Sequence, residues 1–127
     1  MDTRTKIITP EQACALARGG RLAALVTGYF DVLLAAHVRE LGRLRESRPD
    51  VVLLVAIAQP ARPLLDCRAR AEMVAALTAV DYVVSLEHQQ LESVVAAFPP
   101  ERVVRLEAAH EQRMHELIQH VRQRHSQ

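Results

Sequence analysis

Leu22-Ala23-Ala24-Leu25-Val26-Thr27-Gly28-Tyr29-Phe30-Asp31 is the stretch whose reading decides the fold. Leu22 to Thr27 reads as a short apolar strand, and Gly28 breaks it. Beyond the break, Leu33, Leu34, Val38, Leu41 and Leu44 recur at helical spacing as far as Arg45, with Arg39, Glu40, Arg43 and Arg45 mostly on the other side. Pro49-Asp50 ends that unit, and Val51 to Ala58 is a nearly unbroken apolar run. A strand exposed on one face alternates apolar and polar residues. One covered on both faces by crossover helices does not, so Val51–Ala58 reads as a parallel strand inside a sheet.

The same alternation extends outward in both directions. Upstream, Thr9-Pro10-Glu11-Gln12 is a helix start, with Thr as N-cap and Pro at the first helical position; the helix runs to about Arg18 and stops at Gly19-Gly20. Downstream, a loop from Gln59 to Leu65 carries Pro60 and Pro63, and Asp66 caps a helix from Cys67 to about Ala79 with Met73, Val74 and Leu77 facing inward. Asp81 to Ser85 reads as a strand, Leu91 to Ala97 as a short helix, and Arg102 to Leu106 as a fourth strand after the stop at Pro99-Pro100. A tail helix follows from about Ala108 to Arg124, with Met114, Leu117, Ile118 and Val121 in one apolar stripe. Strands alternating with helices predict an α/β fold: a three-layer parallel sheet of four to five strands with flanking helices and a long C-terminal helix, as a single domain over residues 1–127. Ligands of such sheets bind beyond the carboxyl ends of the strands, which directs attention to the loop from Thr27 to Ala36.

Composition narrows the classes of partner. Half of the 127 residues are hydrophobic and the formal net charge is +1, too little to steer nucleic acid or an anionic membrane. The longest apolar run is too short to span a bilayer. The N-terminus, Met1 to Lys6, has no apolar segment of the signal-peptide kind, so a soluble, cytoplasmic protein is expected. Cys14 and Cys67 stand far apart without metal-ligand spacing and read as reduced thiols.

The loop Thr27-Gly28-Tyr29-Phe30-Asp31-Val32-Leu33-Leu34-Ala35-Ala36-His37 resembles the opening motif of the cytidylyltransferase-like nucleotidylyltransferases. It is closest to the heptose-phosphate adenylyltransferase and glycerol-phosphate cytidylyltransferase branch, whose pattern is Gly-x-Phe-Asp-x-x-His-x-Gly-His. Gly28, Phe30, Asp31 and His37 match in register; Arg62-Pro63-Leu64, the helix segment around Arg70, and Val80 to Val84 continue the similarity in order, over roughly Ile8 to Leu86. The resemblance implies a Rossmann-like fold of nucleotidylyltransferase type. It also implies ATP or CTP as the nucleotide, with Mg²⁺ only if a nucleotide binds, and it allows a homodimer. By this carry-over His37 is the candidate catalytic group, and Thr27, Gly28, Tyr29, Phe30, Asp31 and Arg70 are the candidate nucleotide or phosphate contacts.

Departures from the pattern fall on the phosphate contacts. The first motif histidine is Leu34, which donates nothing, and the motif glycine is Ala36. No Lys-bearing segment separates the second strand from the Arg-Pro turn, and the late Ser/Thr-rich turn is replaced by Glu107-Ala108-Ala109-His110. Removing one preorganised donor costs on the order of a hundred- to a thousandfold in rate. The reading is therefore a degenerate, catalytically impaired relative, a pseudoenzyme binding a nucleotide or phosphate at most, in a regulatory or structural role. The alternative is an active or slow transferase joining ATP or CTP to a sugar or polyol phosphate with release of pyrophosphate.

Each candidate residue also has a plainer reading. Asp31 is expected to cap the helix that follows it, Gly28 and Thr27 to shape the turn, and Phe30 to sit in the core. Tyr29 either fills the emptied pocket or stacks on a base. Arg70 is the best surviving cation for phosphate, or a solvated charge on an amphipathic helix, and Arg62 is in the same position. His110, His115, His120 and His125 recur every five residues; a helix brings together residues three or four apart, so this spacing argues against a metal site and for solvated surface.

Overall fold

The computed structural model describes residues 2–31, 35–60, 63 and 65–125, without the side chains of Arg113, Met114, His120, Arg124 and His125. Leu34 and Arg62, both singled out above, lie outside the described residues.

A 3₁₀ turn at Thr3–Lys6 is followed by helix α1 (Pro10–Ala17), strand β1 (Ala23–Gly28), helix α2 (Ala35–Ser47), strand β2 (Val52–Ile57), helix α3 (Cys67–Ala75), strand β3 (Tyr82–Ser85), helix α4 (His88–Ala97), a 3₁₀ turn at Pro100–Arg102, strand β4 (Val103–Arg105) and helix α5 (Glu107–His125). The starts of α1 and α3 are written in the sequence. Thr9 Oγ1 accepts the Gln12 amide at 3.2 Å while Gln12 Oε1 accepts the Thr9 amide at 2.9 Å, a reciprocal capping box. Asp66 Oδ1 accepts the Ala69 amide at 2.7 Å.

The described strands form one parallel sheet in the order β3-β2-β1-β4. Alternate side chains of each strand enter opposite layers, as the pleat requires. Leu25, Leu54, Ala56 and Val84 pack with Ala13 of α1 and Leu91 and Val94 of α4. Val26, Leu53, Val55, Ile57 and Val83 pack with Leu41 of α2 and Ala71, Val74 and Ala75 of α3. Every residue of β2 is buried, which accounts for the unbroken run in the sequence. The order places β1 beside both β2 and β4, so the chain leaves it in one direction and later returns on its other side. The crevice at that reversal lies above the carboxyl ends of β1 and β4, between the β1–α2 loop and the start of α5.

Three details depart from the sequence reading. Helix α3 ends at Ala75, so Leu77 lies in the following turn, and Met73 is on the exposed side while Val74 is buried. Two neighbours in a helix are about 100° apart, and the sheet takes only one of them. On α2, Val38 is exposed, because Leu41 provides the buried contact. On α5, Leu117, Ile118 and Val121 are exposed, and among its described side chains only Glu107 and His110, in the first turn, are buried or half-buried; Met114 of the expected stripe lies outside the described side chains. Among the described residues, no helix is long and apolar enough to cross a membrane.

Candidate functional site

The site is built from the end of β1 upward. Thr27 is paired with both β2 and β4 and Gly28 with β2, and the chain then turns at Phe30, whose φ of 46° is in the left-handed region. That conformation is uncommon for a bulky residue and is held only when packing over-determines it. Phe30 is 1% exposed, in the core as expected, with its ring in T-shaped contact with two imidazoles: His37 at 5.7 Å and His110 at 4.5 Å between centroids. His37, from the first turns of α2, and His110, from the first turn of α5, lie 4.3 Å apart.

His110 is the residue that sequence reasoning placed wrongly. It is not solvated surface; it is buried, with Nδ1 accepting the Tyr29 amide at 3.2 Å and the Phe30 amide at 3.4 Å. Its Nε2 lies 3.9 Å from the Glu40 carboxylate. Five-residue spacing speaks to the four tail histidines as a set; among them His115 is exposed and bonded to Gln119, and the side chains of His120 and His125 lie outside the described ones. It said nothing about one histidine in the first turn of a helix that follows β4. The usable signal was topological: β4 lies beside β1, so the first turn after β4 faces the β1 loop.

Gly28 has its role revised by the same contact. It was expected to shape the turn, yet no glycine has a positive φ. What matters is its missing side chain. A Cβ at Gly28 would stand 2.7 Å from His110 Nδ1 and 2.8 Å from the Phe30 ring, closer than real Cβ contacts allow. Only a glycine here lets the imidazole reach the two amides.

Thr27, wholly buried, donates from Oγ1 to Glu107 Oε2 at 2.8 Å. Glu107 opens α5, so a carboxylate stands at a helix N-terminus, where backbone N–H groups and the helix dipole favour an anion. Arg105, just before it, donates to Glu92 at 2.9 Å and to Glu107 at 3.4 Å. The Glu92 hydrogen bond raises the guanidinium further above its ordinary value and holds the Glu92 carboxyl below its own.

Arg70 is corrected as a solvated charge: it is 0% exposed. Nη1 donates to the Tyr29 carbonyl at 3.1 Å and the Ala58 carbonyl at 2.9 Å, Nη2 to Gln59 Oε1 at 2.6 Å, and Nε to the Asp66 carbonyl at 3.4 Å. The guanidinium thus ties the ends of β1 and β2 to the start of α3. Asp31 is also used across loops. Its Oδ1 accepts the Leu65 amide at 2.8 Å, a bond that reading it as a local helix cap did not foresee.

Tyr29 borders an open cavity of about 350 Å³ on the α4 side of the crevice, with Gln59, His88, Leu91, Arg105 and Glu107 among the other walls. Burial raises the Tyr29 phenol above its ordinary value, with smaller contributions from Glu111 and Glu107 and an opposing one from Arg105. Among the described residues, no group of three or more His, Cys, Asp or Glu side chains is placed to hold a metal ion.

Comparison with known proteins bears on the same region. The sequence model of the cytidylyltransferase-like family matches residues 25–125, from the middle of β1 through α5. The bifunctional protein HldE of Shigella sonnei (strain Ss046) is 30% identical over 115 aligned residues, covering 82% of this chain and 24% of that protein. The chain therefore spans about a quarter of the length of this relative. Both matches agree with the resemblance carried by Gly28, Phe30, Asp31 and His37, and the parallel sheet flanked by helices is consistent with them. By motif, topology and family match together, the chain belongs to the cytidylyltransferase-like family.

Proposed function

We propose that the protein is a degenerate member of this family, catalytically impaired, with a regulatory or structural role and a crevice that takes a nucleotide or phosphate at most. The observation that carries this reading is the self-occupied crevice. The Tyr29 and Phe30 amides, in the loop that the resemblance assigns to phosphate, donate to His110. Arg70 is spent on carbonyl oxygens, and the start of α5 carries the Glu107 carboxylate. A triphosphate entering here meets its own sign of charge at the helix start and an imidazole at the loop. Ala36 adds a methyl group where the motif has glycine.

Catalysis in this chemistry comes from positioning and from donors aimed at growing charge on phosphate oxygens. Any Mg²⁺ would arrive on the phosphates of ATP or CTP. No step is assigned to it.

The second reading is a slow transferase joining ATP or CTP to a sugar or polyol phosphate. One observation favours it: His37 is kept in register and buried at the carboxyl end of the sheet, with a second imidazole beside it. Pyrophosphate release separates the two readings, measured with ATP and with CTP, Mg²⁺ and a panel of sugar and polyol phosphates. The expected result is no release above the protein-free rate. Turnover that disappears in His37→Ala overturns the proposal.

A further inference from the structure

The contact between His110 and the β1 loop has the geometry of a ligand complex made within one chain. Two successive amides, Tyr29 and Phe30, converge on one acceptor, Nδ1. Converging backbone N–H groups of this kind form anion-binding concavities. The convergence is maintained by Phe30 in its left-handed conformation. The acceptor reaches the amides only because Gly28 has no side chain. His110 is therefore placed where an oxyanion would be placed, with Nδ1 as the acceptor, since a proton on Nδ1 would face two donors.

We infer that His110 is an internal competitor for anions: an anionic ligand and the first turn of α5 contend for the Tyr29 and Phe30 amides, so that ligand entry is coupled to release of the start of α5. The inference rests on the reading of the crevice as degenerate and adds how it is regulated. The mechanical link is short. His110 lies in the first turn of α5, whose start is fastened by Leu106 N–H to the Thr27 carbonyl at 2.8 Å and by Thr27 Oγ1 to Glu107. Farther along, every described side chain of α5 from Glu111 to Gln123 is exposed, Leu117, Ile118 and Val121 included, so among the described residues few packing contacts oppose movement of the helix. Withdrawing the ring from beneath Gly28 displaces this first turn, and the remaining turns follow it as one helix.

The competing groups around His110 favour the closed arrangement. Glu40 of α2 faces its Nε2, and the His37 and Phe30 rings pack against the imidazole at 4.3 and 4.5 Å between centroids. A ligand must displace this set, so its apparent affinity falls by the fraction of molecules in which the ring is out.

The test uses the full chain, ¹⁵N-labelled, titrated with inorganic pyrophosphate alone. In His110→Ala, the Tyr29 and Phe30 amide resonances shift on titration and pyrophosphate binds about tenfold tighter or more than to the wild type, because competition is gone. His110→Ala binding no more tightly than wild type overturns the inference, as does binding that leaves those two amides unmoved. A measurement without any variant covers the case in which His110→Ala does not fold. In the wild type at saturating pyrophosphate, the amides of Tyr29 and Phe30 and those of the first turn of α5 shift together. Movement of the loop amides with α5 unchanged overturns the coupling. These outcomes are separate from the test of degeneracy, which asks only whether the wild type releases pyrophosphate from ATP or CTP.

Discussion

The two ends of the parallel sheet are fastened by similar chemistry for different reasons. At the amino end, Arg45 of α2 donates to the carbonyls of Ala79 and Val51, at 3.0 and 2.6 Å, and pairs with Asp81, whose carboxylate also accepts the Leu53 amide at 2.8 Å. Lys6 closes the neighbouring turn on the Leu77 and Val80 carbonyls. At the carboxyl end, Arg70 performs the same service for Tyr29 and Ala58, and His110 does so for the amides of Tyr29 and Phe30. Pins at the amino end of such a sheet are expected, since its ligands bind beyond the carboxyl ends of the strands. At the carboxyl end they occupy groups that, on the proposed reading, a phosphate ligand would need. The difference between an open cleft and a self-satisfied one is thus a matter of which acceptors and donors are already taken.

Three substitutions break or sharpen this comparison. The largest effect is expected for Arg70→Ala, which strands two buried carbonyls and leaves a void between β1, β2 and α3. A loss of about 3 kcal/mol or more in urea unfolding is expected. A loss below about 1 kcal/mol would mean that the guanidinium is not a pin and is available for other work. Asp81→Asn comes next. It weakens the ion pair with Arg45 on a partly exposed side chain and keeps an oxygen for the Leu53 amide, so about 1 kcal/mol is expected, with pyrophosphate binding unchanged. A change in that binding would show the two ends to be coupled rather than independent. Ala36→Gly is the smallest, about 0.5–1 kcal/mol from the lower helix propensity of glycine in the first turn of α2. It restores the motif glycine, yet pyrophosphate release from ATP or CTP stays at background, since His110 and Glu107 remain in place. Release above background would assign the proposed impairment to the alanine methyl and not to the plug.

Much of the fold was legible because its signals are local. Thr9 and Asp66 cap helices with their own side chains, Gly19-Gly20 and Pro99-Pro100 stop them, and β2 is apolar throughout because both its faces are covered. Met73 and the end of α3 were misread because helical periodicity gives the width of an apolar face only approximately, and the sheet selects one of two neighbouring residues. Within the site, Gly28, Phe30, Asp31 and His37 could be picked out by register against a family pattern. Their partners could not. Asp31 bonds to Leu65, Thr27 to Glu107, and the Tyr29 amide to His110, at separations of 34, 80 and 81 residues.

Sequence alone determined that strands and helices alternate, that the crevice lies beyond β1, and that the histidine and glycine positions of the motif hold Leu34 and Ala36. Those are properties of residue type and order, which the chain carries before it folds. Tertiary structure decided what fills the crevice. Placing β4 beside β1 brings the first turn of α5 over Gly28, where a missing Cβ makes room for an imidazole. No local propensity of Glu107-Ala108-Ala109-His110 encodes that contact; it arises from the order of strands in the sheet.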